Sequence, residues 1–244
     1  MAGSDAAPNT YAHPPLVECW LTTDFAPAVD LSADSAALRT LMGPEWPGNW
    51  KEGPRSSLQL TNVMGDRTLR LRPHGFTFGW LGYSGERYPR YESVRDGFVS
   101  VLDTVRKLAT QRGVKPVPRR WSVNYVNRIP RGTVWSAPGD WSFFCLWQSA
   151  PLKGLRVEPS GSRIEWHLPL EIQQASLTIE FKHTPAAQAD ETDNVWLTLT
   201  TSGSVEHDDG SLFDGLDAGR DIIVRSFNEL VSADAKSFWG AGGR

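Results

Sequence analysis

Glu180-Phe181-Lys182 places an acid and a base two residues apart, the spacing that puts both side chains on one face of a strand. Magnesium-dependent nucleases of the E-x-K type use that arrangement. Such a site needs a further carboxylate to complete the oxygen ligands of the ion, and the upstream acids Asp140 and Glu165 stand in no motif that supplies one. Glu206-His207-Asp208-Asp209, with His183, offers ligand-type side chains for a metal. Its glycine-containing turn before a helix reads as a solvated acidic loop, and no paired His spacing accompanies it. Gly82-Tyr83-Ser84-Gly85 is a turn and not a G-x-S-x-G nucleophile elbow. Neither a phosphate loop nor a G-x-G-x-x-G motif occurs. The expectation is a binding protein and not an enzyme, with no cofactor and no metal.

Asn124-x-x-Asn127-Arg128 holds the first binding candidates. Strand alternation puts Asn127 with Trp121, Val123 and Tyr125, where its buried amide must be satisfied by a neighbouring loop or helix end. Asn124 and Arg128 face the other way. Glu18 lies in an apolar strand and is a partner for Arg128, since a paired buried charge costs less than an orphan. Trp46 and Trp50, in a loop rich in chain breakers, are candidates for contact with another protein. The eleven Trp of the chain read first as core layers and second as the lining of a pocket.

A net charge of −3 gives no footprint for phosphate-backbone binding, so nucleic acid is a disfavoured partner. The arginine groups Arg67, Arg70, Arg72 and Arg119, Arg120 read as solvated strand faces. Cys19 sits in an apolar strand pattern and is expected as a buried thiol, not a disulfide. No basic start followed by an apolar run and no stretch of membrane-spanning length is seen, which makes cytoplasm the expected location and a membrane partner unexpected.

The elements that must position these residues follow from periodicity. Residues 1–13 read as a flexible tail. A strand over Leu16 to Thr22 and a helix over Asp30 to Met42, capped by Ser32, come next. Pro44 to Pro54 reads as a loop. Strands around Leu58 and Leu60, Leu69 and Leu71, and Phe76 to Leu81 form a meander. Tyr91 to Arg112 is a helix with Val94, Phe98, Val101, Val105 and Leu108 on one stripe, stopped by Gly113. After a linker over 114–120, a strand runs from Trp121 to Ile129. Asp140 to Trp147 fits either a helix or a strand. Strands are expected at Leu155 to Glu158, Ile164 to Leu168, Leu177 to Lys182 and Val195 to Thr201, with a polar loop over Pro185 to Asp193. A last helix starts at Ser211 or Asp214, carries Ile222, Ile223, Phe227, Leu230, Val231 and Phe238, and ends at Gly240.

This pattern predicts an α+β fold of antiparallel sheets, each covered by a long amphipathic helix. Two pseudo-duplicated halves, 14–113 and 121–240, meet about a pseudo-two-fold axis in one compact unit.

Four segments carry a family resemblance: Pro14-Pro15-Leu16-Val17-Glu18, Tyr88-Pro89-Arg90-Tyr91-Glu92, Asn124-Tyr125-Val126-Asn127-Arg128-Ile129, and the last helix with Phe227 and the closing Phe238-Trp239-Gly240. In that order and spacing the chain resembles a sporadically distributed prokaryotic family of unknown function. The resemblance covers about residues 14–240. A patchy distribution implies an accessory role linked to defence or mobile elements. Cys19-Trp20 and a Trp-rich middle depart from the family pattern. The function expected is protein interaction, with another protein or a second copy as partner. The alternatives are a small-molecule pocket between sheet and helix, and a metal-dependent nuclease at Glu180 and Lys182.

Overall fold

The computed structural model describes residues 11–27, 35–47, 50–53, 57–72, 74–83, 88–146, 161–167, 175–188, 191–206 and 209–241. Its strands are β1 (Leu16–Ala26), β2 (Lys51–Gly53), β3 (Ser57–Thr61), β4 (Arg67–Arg72), β5 (Gly75–Leu81), β6 (Val117–Pro130), β7 (Gly161–His167), β8 (Ser176–Thr184) and β9 (Asn194–Ser204). The helices are α1 (Ser35–Met42), α2 (Tyr91–Gln111), α3 (Asp209–Leu230) and α4 (Ala233–Phe238). All nine strands join one sheet in the order β2-β3-β4-β5-β1-β6-β9-β8-β7, every neighbour antiparallel.

The two runs of strands share this single sheet because β1 and β6, the leading strands of each, pair with each other. Neither is then left as an exposed edge. In both runs the leading strand also pairs with the last strand before the long helix, β1 with β5 and β6 with β9.

Register puts the apolar residues on one face. Cys19 stands opposite Trp80 and Tyr125, Leu21 opposite Phe78 and Val123, and Tyr125 opposite Leu199, which faces Ile179. Helix α2 packs on β5 and β1, and α3 on β6 and β9. Two glycines a turn apart let α3 approach closely. A Cβ on Gly215 or Gly219 would lie 2.4 or 2.6 Å from the Trp121 ring or Thr201 Oγ1, well inside contact distance. Gly97 plays this part on α2, where a Cβ would meet the Phe78 ring at 2.5 Å. Helix α2 stops as its sequence predicts. Gly113 takes φ +72° and Val114 N–H donates to Ala109 O at 2.9 Å, satisfying a terminal carbonyl.

Several expectations need correction. Residues 11–13, assigned to the tail, are tied down: Tyr11 bridges Ala241, and His13 N–H donates to Trp239 O at 3.1 Å. The loop over 44–54 contains β2, which the β3 edge recruits. The linker is shorter than 114–120 because Val117, Pro118 and Arg120 already pair with Ala26, Phe25 and Asp24. Residues 140–146 form neither helix nor strand; Phe144 makes an isolated bridge to Val231. The last helix is two. Ser232 accepts from Ala235 N–H at 3.2 Å and caps α4, so Trp239 is buried where Phe238, 56% exposed, was expected. The Ser32 cap, the strand at 155–158, and His207 and Asp208 lie outside the described residues. Among the described residues no helix is long and apolar enough to cross a membrane. Cys19 is a buried free thiol and Cys145 an exposed one.

Candidate functional site

The structure divides the sequence-derived candidates between the two faces of the sheet. Glu18, Asn124 and Arg128 lie on the face away from α2 and α3. The pairing expected between Glu18 and Arg128 is not formed. Glu18 accepts from Trp20 Nε1 at 2.5 Å and from the Tyr83 hydroxyl, while Arg128 Nε donates to Asn194 Oδ1 at 2.8 Å. Neutral donors close at hand, one two residues along β1 and one in the turn after β5, satisfy the carboxylate without a second charge. Asn124 Nδ2 donates to Thr200 Oγ1 at 2.6 Å. Trp20, on this same face, is only 5% exposed because the Arg70 guanidinium lies 3.9 Å over its ring.

Glu180 and Lys182 share this face on β8, as alternation requires. Arg163 from the edge strand β7 pairs with Glu180, so a cation stands beside the carboxylate where the metal reading needs a further acid. Among the described residues no three His, Cys, Asp or Glu side chains are grouped to hold an ion. His183 points the other way, packed against the Trp135 and Trp141 rings. Trp46 and Trp50 do not form a display surface. Trp46 is buried against Phe78, and Trp50 Nε1 donates to Ser35 O at 2.8 Å, tying the loop to α1.

On the helix-covered face the molecule opens. A cavity of about 140 Å³ lies under the second half of α3, over the central strands. Period two on β6 brings Tyr125 and Asn127 to its floor, beside Leu199 of β9. The helical period of α3 brings Arg220, Ile223, Val224 and Phe227 to its roof. Pro14, Pro15 and Leu16 wall it where the chain enters β1, held by Arg128 N–H donating to Pro15 O at 2.9 Å. Tyr11 closes one end, its hydroxyl donating to Asn228 Oδ1 and its ring edge-on to Phe227 at 5.8 Å. Tyr88 and Arg90 come from the approach to α2.

The cavity is polar at chosen points. Asn127, 4% exposed, donates from Nδ2 to Leu197 O at 3.0 Å, so its satisfying group is the neighbouring strand and not the loop or helix end expected. The Tyr88 and Tyr125 hydroxyls are 2.9 Å apart, and Tyr88 Oη also donates to Cys19 Sγ at 3.7 Å. Burial raises both phenols well above their ordinary range and pushes the Cys19 thiol up to about 12. These groups are therefore neutral hydrogen-bonding groups at physiological pH. A protonated, fully enclosed thiol is in the wrong state to act as a nucleophile.

Two arginines bring charge. Arg220 Nη1 donates to Asp221 Oδ1 at 2.8 Å, while its Nε is buried without a partner. Arg90 is exposed at the rim and has φ 78° and ψ 154°, a backbone region that is normally glycine's alone. Among the described residues no acidic side chain lines the cavity.

A wider concavity of about 410 Å³ between α2 and α3 is lined by Glu92, Arg95, Asp96, Asp217 and Asp221 among others. Two of its acids are used in pairs, Asp217 with Arg95 Nε at 2.9 Å and Asp221 with Arg220 Nη1 at 2.8 Å, and Tyr91 donates to the same Asp217 oxygen at 2.8 Å. The smaller cavity combines apolar walls with a few polar and cationic groups, which is the character of a ligand site.

Of the sequence-derived candidates only Asn127 reaches this cavity. Sequence reasoning missed Arg220 although a signal was present. It stands four residues after Leu216, three before Ile223 and seven before Phe227, a charge on an apolar stripe. Nothing local marks Arg90 as holding a glycine-like backbone. Compared with known proteins, the chain matches no family model and no curated protein sequence.

Proposed function

We propose that this protein is a non-catalytic binding protein that holds a small molecule in the cavity between its sheet and α3. One observation carries the reading. The four segments by which the chain resembles the sporadically distributed prokaryotic family supply most of the cavity wall: Pro14 to Leu16, Tyr88 and Arg90, Tyr125 and Asn127, and Phe227. Segments far apart in sequence have no packing reason to share one partly empty space, where a filled core would be more stable. Membership of that family is part of the same proposal. So is a structural duplication of the two halves, supported by their matching strand order, with the cavity near the seam between β1 and β6.

The test is release of a bound compound. Native mass spectrometry of the chain purified from its own host is expected to show a stoichiometric small molecule that leaves on denaturation. Val224→Trp, which fills the cavity from α3, should carry none. Wild-type protein that releases nothing, and whose melting temperature no compound in a metabolite library raises, would overturn the reading.

A second reading, contact with another protein or a second copy, is favoured by the edge of the sheet. Strand β7 pairs only with β8 among the described strands and is largely exposed, with Trp166 38% accessible. An unpaired strand edge with an aromatic side chain is a template for strand addition. Light scattering of wild type and Trp166→Glu checks it; a monomer at all concentrations, with no partner recovered from host extract, removes it.

A further inference from the structure

The cavity's chemistry also specifies what kind of molecule fits, granted the proposal that it is a ligand site. Its volume of about 140 Å³ is close to that of apolar protein cavities known to accept a benzene ring, near 150 Å³. Its apolar wall is aromatic and aliphatic, from Tyr88, Tyr125, Leu199 and Phe227. Among the described residues its charged lining is positive, from Arg90 and Arg220. Arg220 lines the cavity with a side chain that is 29% exposed and pairs with Asp221 through Nη1; a guanidinium carries five N–H donors, more than one carboxylate oxygen uses.

Arg90 supplies a second, independent observation. It holds a glycine-like backbone with no side-chain cap for α2 and stands exposed at the cavity rim. A strained non-glycine residue persists where its side chain has a task. Asn127, with its Nδ2 committed to Leu197 O, leaves its amide oxygen as an acceptor for a ring hydroxyl or amine.

We infer that the ligand is a single-ring, amphipathic anion whose ring occupies the tyrosine-lined cavity and whose carboxylate or phosphate meets Arg90 and Arg220. Both head groups offer paired oxygens to a planar guanidinium, and the experiment tells them apart.

Isothermal titration of the full chain uses benzoate, phenyl phosphate and the neutral benzyl alcohol at low salt. At least one anion is expected to bind about tenfold or more tightly than the alcohol, as charge-assisted hydrogen bonds imply; the tighter of the two identifies the head group. Arg90→Gly and Arg220→Met are each expected to lower anion affinity by about tenfold, a larger factor than either lowers alcohol binding. Arg90→Gly should raise the melting temperature, so its loss of binding cannot come from misfolding. Equal binding of the alcohol and both anions, or anion binding indifferent to both variants, overturns the anion assignment and leaves the cavity as a neutral-ligand site. No heat and no thermal shift with any of the three probes overturns the assignment, and the library and mass-spectrometry test then decides separately whether the cavity binds anything.

Discussion

Helix α2 lies on β5 and β1 through a continuous stripe of buried residues from Tyr91 to Ala109, whereas α3 meets β6 and β9 in two ways along its length. Its first turns are drawn onto the sheet by Gly215 and Gly219, which rest on the Trp121 ring. Its later turns carry Arg220, Ile223, Val224 and Phe227 and stand over the cavity. Small residues bring a helix close, and large or charged ones hold it off. Along one helix, then, the sizes of a few residues decide where the contact is tight and where it stays open; a concavity of about 220 Å³ beside α2, lined by Trp46, Phe78, Gly97 and Val101 among others, leaves the α2 side open at its margin as well.

Removing the ring on which each helix rests should cost the most stability. Trp121→Ala is expected to cost about 4 kcal/mol and Phe78→Ala about 3 kcal/mol in urea unfolding, the range for large aromatic truncations. Trp121 is pinned by glycines on both sheet and helix, so the space it leaves is less able to collapse. A larger loss for Phe78→Ala would reverse the roles given to the two helices.

The glycines offer a finer test. Gly215→Ala forces a methyl into the fixed indole and is expected to lose about 2 kcal/mol net, overpacking exceeding the helix-propensity gain of about 1 kcal/mol. Gly97→Ala meets the outer edge of the Phe78 ring, which can swing, so its net loss should be below about 1 kcal/mol. Equal losses would mean that both helices sit equally tightly.

Alkaline pH probes the seam beneath the cavity. Burial moves the Cys19 thiol from 9.0 to about 12, and the buried phenols move in the same direction. Above pH 9 the unfolded thiol releases its proton while the folded one keeps it. Stability from this group is thus fully present below pH 9 and is lost as pH rises toward about 12. Denaturation midpoints should fall steadily between pH 9 and 11. In native protein at pH 8 a thiol reagent should label Cys145 alone. Rapid native labelling of Cys19 would show that the seam is open.

Arg90→Gly should stabilise the fold by about 1 kcal/mol by relieving the backbone at φ 78°. A destabilised variant would mean that the Arg90 side chain supports the fold directly. The smallest effect belongs to the tie between the helices. Arg95→Ala removes a half-exposed pair with Asp217 and should cost about 0.5 kcal/mol. A much larger loss would make this ion pair, and not the sheet contacts, the main link between the two halves.

Much of the fold was legible in sequence. The α2 stripe, its Gly113 stop and the strand alternation from Phe76, Trp121, Leu177 and Val195 all stand as their spacing implied. The candidate site was legible only in Asn127, whose facing followed from alternation. Glu18 and Arg128 were matched by charge alone, and nearer neutral partners took both. Trp46 and Trp50 looked free because their loop is rich in breakers, yet the core reaches out to them.

What this chain determined by itself was which residues face inward: period-two and period-3.6 patterns are properties of a single segment and need no partner to be read. Only the tertiary structure decided that β1 and β6 pair, that the last helix is divided between Leu230 and the Ser232 cap, and that Arg90, Arg220 and Asn127 surround one space. Those outcomes depend on contacts between distant segments whose energies differ little from their competitors, so packing of the whole selects among them.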